Sequence, residues 1–301
     1  MPARTHRLAT RTLLTSLTVA VTAFAAGCGD DDEAKRETTA APTTFVVEAT
    51  AEGRRKLLDF PASVKAGLVA VTLKNSDSRP RSLQILRVEG DHTIDDVLKI
   101  VESEEPAKIP SWMQDGGGLG RVAPGETATA TQVLAPGTWV LWDDEGAEEG
   151  PSNSELGAKG SFAVTGPAVD AELPAQPAAV TASDDGEDEY GFDFKGLKAG
   201  TNRVRFENTG EELHHALFFP MRRGATIEDV LEAFQAEGEP EGPPPVDFAK
   251  GVGTAVIDGG TAQNISLDLP AGRYAVVCFI SDRDGGEPHA AKGMLDELTI
   301  G

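Results

Sequence analysis

The chain carries one sequence unit twice, and this repetition limits its possible folds more than any other feature. Lys65-Ala66-Gly67 returns as Lys198-Ala199-Gly200, and Asn75 returns as Asn208. Thr93-Ile94-Asp95-Asp96-Val97-Leu98 returns as Thr226-Ile227-Glu228-Asp229-Val230-Leu231. Pro136-Gly137-Thr138-Trp139 returns as Ala271-Gly272-Arg273-Tyr274. The offset is 133 residues for the early matches and 135 for the last. Self-similarity at a fixed period marks duplicated architecture. The units run over 45–165 and 178–301, and the stretch 166–177, with three prolines, is read as the linker.

Each unit reads as short strands. Val69, Val71 and Leu73 alternate with smaller or polar neighbours, as do Val204 and Phe206 in the second unit. Alternation with period two buries one face of a strand. Further strands are expected at 82–88, 127–134 and 138–142, with counterparts at 214–219, 261–269 and 273–280. Gly- and Pro-rich turns between them favour antiparallel sandwiches. One helix interrupts each unit. Ile227, Val230, Leu231 and Phe234 form an apolar stripe behind Thr226, whose capping partner is Asp229. Ile94, Val97, Leu98 and Val101 repeat it behind Thr93. The expected fold class is all-β: two tandem sandwiches, each with one inserted helix.

The first 28 residues read as an export signal. Arg4, Arg7 and Arg11 precede a short, largely apolar run from Leu13 to Phe24, and Ala25-Ala26-Gly27-Cys28 closes it. The run is short for a membrane span. The ending resembles the bacterial lipoprotein box, which implies a lipid on Cys28 and tethering outside the cytoplasmic membrane. An ordinary signal peptide with a chance cysteine is the alternative. Residues 29–44, opening on Asp30-Asp31-Asp32-Glu33, read as a disordered polar stalk.

The charge excludes one class of partner. With 27 basic and 49 acidic side chains the net charge is -22, which does not suit nucleic acid. It suits steering of a basic protein partner. Two cysteines exclude a disulfide-dense scaffold. Removal of the leader would leave Cys278 as the single thiol. Outside the leader the histidines are His92, His214, His215 and His289. No Ser/His/Asp arrangement, phosphate loop or paired-carboxylate motif stands out, so an enzyme is not expected.

The second unit holds a candidate metal site. Tyr274, Val276 and Cys278 alternate on a strand and so share a face. A polar loop follows, then Pro288-His289 and Gly293-Met294. Upstream, Asn208-Thr209-Gly210 leads into His214-His215. A thiolate, two imidazoles and a thioether form the donor set of a blue-copper site. A Cys/His set also suits zinc, the less favoured metal. Asp282, Asp284 and Glu287 lack the spacing of a calcium loop and read as a solvated turn.

In Ala-Gly-x-Tyr-x-x-x-Cys (Ala271 to Cys278), Pro288-His289-x-x-x-Gly293-Met294 and the histidine after an Asn-x-Gly turn, this unit resembles a cupredoxin, the blue-copper family that includes plastocyanin. The resemblance implies a Greek-key β-sandwich. It makes His214 the first ligand, Cys278 the thiolate, His289 the second imidazole and Met294 the axial group. His215, adjacent to His214, faces the other way on a strand and would support the site or serve as an alternative ligand. Ten residues separate Cys278 from His289, more than the family often uses.

The first unit lacks this donor set. Arg81 stands where His214 does, Ser82 where His215 does, and Asp143 where Cys278 does; Ser154 or Glu155 falls near His289. That unit is expected to be metal-free, with Trp139 and Trp142 filling its core. The functional expectation is a membrane-anchored, extracytoplasmic, copper-binding electron carrier, with electrons passing near an exposed edge of His289. Copper storage or delivery, and a metal-free envelope adhesion or scaffold role, are the alternatives.

Overall fold

The structure is a computed structural model that describes residues 41–103, 108–146, 150–184, 190–236 and 242–301. The leader over 1–28, Cys28 and most of the expected stalk lie outside the described residues. Thr39–Gly301 forms one compact unit. Among the described residues no helix is long and apolar enough to cross a membrane.

The first half consists of β1 (Thr43–Glu52), β2 (Arg55–Asp59), β3 (Ser63–Lys65), β4 (Gly67–Asn75), β5 (Arg81–Val88), helix α1 (Ile94–Val101), β6 (Met113–Val122), β7 (Thr127–Leu134), β8 (Gly137–Trp142) and β9 (Lys159–Thr165). The second half continues with β10 (Ala178–Asp184), β11 (Tyr190–Lys195), β12 (Gly200–Asn208), β13 (Leu217–Pro220), helix α2 (Ile227–Gln235), β14 (Val252–Gly253), β15 (Ala262–Leu269), β16 (Gly272–Val277) and β17 (Leu295–Ile300). The protein is all-β, with sheets packed as sandwiches. One sheet runs β11-β10-β12-β15-β7-β4-β1-β2 and is shared by both halves. It faces a five-stranded sheet, β3-β9-β8-β5-β6, in the first half and a four-stranded sheet, β14-β13-β16-β17, in the second.

Alternation dictates which side chains enter the core. In β4 Val69, Val71 and Leu73 are fully buried; in β12 Val204 and Phe206 are. Both belong to one apolar core that runs through the two halves and includes Cys278 and Met294. β8 is buried on both faces, because Trp139 and Leu141 enter this core while Val140 and Trp142 pack under α1 with Val97 and Leu98. Ile94 is partly buried there, and Val101, expected on the stripe, is exposed at the helix end. Both helices open on a complete capping box, Thr93 with Asp96 and Thr226 with Asp229. Each box satisfies orphan N–H groups of the first turn.

The seam between the halves is polar and tight. β15 pairs antiparallel with β7 through Gln263↔Gln132 and Asn264↔Thr131. Gln84 Nε2–H donates to Val256 O and Val256 N–H donates to Gln84 Oε1, both at 2.9 Å. Gly116 bridges Ile257, and a Cβ on Gly116 would stand 2.7 Å from Val256 O, so only glycine lets the backbones meet.

Two expected strands are shorter than their alternation. β13 starts at Leu217 rather than His214, and β16 ends at Val277, just before Cys278. Both chains leave the ladder where they approach each other at one end of the second sandwich.

Candidate metal centre

Three separate pieces of chain converge there. His214 follows a turn knit by Asn208, whose Nδ2–H donates to Glu212 O at 2.7 Å and whose Oδ1 accepts from Gly210 N–H at 3.0 Å. A two-way backbone bridge with Ile257 then fixes it, at 3.0 and 2.9 Å. Cys278 continues the inward face of Tyr274 and Val276. Its N–H donates to Met294 O at 3.1 Å, and its carbonyl accepts from Ala290 N–H at 2.8 Å. His289 opens a short 3₁₀ turn, His289–Lys292, behind Pro288.

The long connection from Cys278 to His289 closes as a hairpin. Ser281 bridges Pro288, Gly285 N–H donates to Asp282 O at 2.8 Å, and His289 N–H donates to Ile280 O at 2.8 Å. Loop length therefore does not leave the histidine loose. Gly293, at φ 120°, turns the chain from the 3₁₀ turn back into β17, where a Cβ would lie 2.8 Å from Tyr190 O.

The donors meet at one point. Cys278 Sγ is 3.7 Å from His214 Nδ1 and 3.7 Å from His289 Nδ1, and the two Nδ1 atoms are 3.0 Å apart. All three residues are fully buried. This is the one cluster of its kind among the described residues, and it can hold one metal ion. Met294 is fully buried in the same core, and its N–H donates to His289 O at 2.9 Å. Its backbone thus ties together the segments bearing Cys278 and His289.

The outer ring nitrogens are also engaged. His214 Nε2 lies 2.8 Å from Asp184 Oδ2, and His289 Nε2 lies 3.0 Å from Asp282 Oδ1, each within hydrogen-bond reach. Asp184 also accepts Glu211 N–H at 2.6 Å and Glu212 N–H at 2.9 Å. Asp282 also accepts Tyr190 O–H at 2.8 Å and an ammonium proton from Lys292. With protons on both Nε2 atoms, two Nδ1 lone pairs face each other beside a sulfur. Buried lone pairs at 3.0 Å repel unless a proton or a cation lies between them.

The environment holds the donors neutral. Burial lowers the His214 pKa against the pull of Asp184. Burial and the neighbouring His214 lower His289 to about 4, against Asp282. Burial pushes the Cys278 thiol up to about 12, while backbone N–H groups of His215 and Ile280 act the other way. Neutral imidazoles are ready to coordinate, and the thiol needs a cation to become a ligand thiolate.

His215 takes no part in the cluster. Its Nε2 accepts Phe279 N–H at 3.0 Å, so it braces the backbone beside Cys278 from the other side. Burial first, then the neighbouring His214 and His289, lower its pKa to about 3. The expected exposed edge on His289 is absent: Tyr190 lies over the ring, with centroids 4.8 Å apart, and Asp282 covers Nε2. Asp282 is half-buried and bonded to three side chains rather than standing in a solvated turn. Asp184 was not singled out by sequence, because it opens the acidic run Asp184-Asp185-Gly186-Glu187, which reads as surface.

No protein-family model matches the chain, and no curated protein matches it. Solved structures do. A copper-containing nitrite reductase from Thermus scotoductus SA-01 aligns at 16% identity and a TM-score of 0.26, covering 87% of this chain and 62% of that one. The chain thus spans less than two thirds of that reductase. Dithionite-reduced auracyanin from Roseiflexus castenholzii aligns at 22% identity and a TM-score of 0.29, covering 42% of this chain and 99% of that one. Auracyanin A, a blue copper protein from Chloroflexus aurantiacus, aligns at 18% identity and a TM-score of 0.27, covering 40% and 99%.

Proposed function

We propose that this protein is a copper-binding single-electron carrier of cupredoxin type, built as two repeats of one unit, with copper held in the C-terminal repeat by His214, Cys278 and His289 and with Met294 as the axial group. The observation that carries the reading is the convergence of two imidazole Nδ1 atoms and one thiol, all on fully buried side chains. Copper supplies a one-electron couple that this soft, nitrogen–sulfur donor set serves in both oxidation states. The sandwich holds the donors in place from three backbone-bonded segments, so little movement accompanies electron transfer. Full burial of all three donors favours a resident ion over one handed to a partner, since delivery needs a route for ligand exchange. Zinc is the rival metal.

On this reading the N-terminal repeat binds no metal and the protein acts without a substrate. A lipid on Cys28 tethers it outside the cell membrane, and the acidic surface attracts a basic redox partner. Cu(II) added to the purified chain is expected to give an intense blue band that Cys278→Ala abolishes. Zinc binding without a blue copper form would reject the proposal. Release from membranes by Cys28→Ala tests the anchor; continued attachment would reject it.

A further inference from the structure

Both imidazoles of the cluster lean on a carboxylate, and both carboxylates are occupied by other donors. Asp184 ends β10 and is bonded by two consecutive backbone N–H groups, of Glu211 and Glu212, in addition to His214. Asp282 sits in the hairpin and is bonded by Tyr190 and Lys292 in addition to His289. Lys292 also lies over the Tyr190 ring, 4.9 Å from its centroid. Neither carboxylate can turn away without leaving these donors unpaired. An ionised carboxylate only accepts, so each one requires a proton on the Nε2 it faces. That choice places the lone pair of each ring on Nδ1, toward Cys278.

We infer that Asp184 and Asp282 are paired positioning residues which fix His214 and His289 as Nε2–H tautomers and, through their negative charge, favour the higher charge state of the bound ion. The second clause rests on the copper reading; the first does not. A carboxylate behind an imidazole raises the basicity of the ligating nitrogen and fixes the ring plane. More basic nitrogens stabilise Cu(II) more than Cu(I). The two positions differ in support: Asp184 is locked by backbone and nearly sealed from solvent, whereas Asp282 is held by side chains and partly open.

Nitrogen-15 NMR of the full chain without metal reads the tautomers directly. The ring proton is expected on Nε2 of both His214 and His289. A bare Nε2 on either ring overturns the assignment, whether or not copper binds. The charge effect is read by titrating Cu(II) and Cu(I) into the wild type, Asp184→Asn and Asp282→Asn, where asparagine keeps an acceptor oxygen and removes the charge. Each variant is expected to lose about tenfold in Cu(II) affinity relative to Cu(I). For a one-electron couple that is a rise in potential of about 59 mV. Unchanged ratios in both variants, with copper still bound and only the melting temperature altered, would mean the carboxylates merely hold their loops. A wild-type chain that takes up no copper would reject the functional reading instead, and the NMR result would then decide the tautomer assignment alone.

Discussion

At matching places in the strand order, the two halves contain opposite chemistry. In the second half the segment before β13 and the end of β16 bring together His214 and Cys278. In the first half the start of β5 and the end of β8 bring together Arg81 and Asp143, both fully buried, with Arg81 Nε–H donating to Asp143. Asp143 also accepts Ser82 N–H and O–H at 3.0 and 2.9 Å and Asn153 Nδ2–H at 3.1 Å. Arg81 reaches Asp77 at 3.2 Å and Thr50 O at 3.0 Å, and Lys56 meets Asp77 at 2.5 Å. The first half closes its polar end with its own charges. The second half instead gathers a thiol and two imidazoles with no charged partner between them, a set that can hold one metal ion. The same backbone niche therefore hosts either an internal ion pair or a donor cluster that can hold a metal ion, and side-chain identity decides which.

The largest expected effect is also the most selective. Cys278→Ala should abolish metal retention, read by elemental analysis, while lowering stability by only about 1 kcal/mol for the small lost volume. Loss of folding instead would mean the sulfur is chiefly a packing group. In the first half, Asp143→Ala leaves Arg81 charged and buried without its main partner. It should cost about 3–5 kcal/mol in chemical denaturation and leave metal uptake intact. Arg81→Met with Asp143→Leu removes both charges and keeps the volume, so it should recover most of that loss. A double variant as unstable as the single one would show that Asp143 acts mainly through Ser82 and Asn153.

Acid should separate the halves more gently. Folded His289 and His215 take up protons near 4 and 3, and His214 is lowered too, against 6.5 for an ordinary histidine. The unfolded chain therefore binds more protons in this range. In the metal-free protein this part of the stability is complete above 6.5 and declines as pH falls toward about 4. In the first half Asp77 is buried, which opposes ionisation, but bonds from Lys56 and Ser78 hold its pKa below 3.8, so its contribution is lost only at lower pH. Hydrogen exchange followed between pH 6.5 and 4 should show the second half loosening first; simultaneous loosening would break the distinction. The smallest effect should be equal on both sides. Thr93→Ala and Thr226→Ala remove the same cap and should each cost about 1 kcal/mol in thermal unfolding.

What could be read from the residues was periodic or compositional. Val69, Val71 and Leu73 declared a strand through alternation, and the Thr-x-x-Asp cap with its apolar stripe declared each helix. His214, Cys278 and His289 were legible because soft donors are rare in this chain and stand in a family order. Asp184 and Asp282 were not, because aspartate in an acidic run or polar loop looks like surface until the fold turns it inward. The exposed edge expected on His289 failed for the same reason: no local pattern announces that Tyr190, from β11, will cover the ring. The late start of β13 was equally hidden, since His214 is drawn out of the ladder by Ile257, 43 positions away in the chain.

The strand pairing at Gln132 and Gln263 has a practical corollary for anyone dividing the gene. Severing the polypeptide between Gly166 and Pro177 would strip β7 and β15 of each other and bare two formerly interior rows of amide and carbonyl groups. Such edges invite foreign strands. A half expressed alone would be prone to self-association, and polar or proline substitutions along β15 would be the remedy before any isolated fragment is assayed.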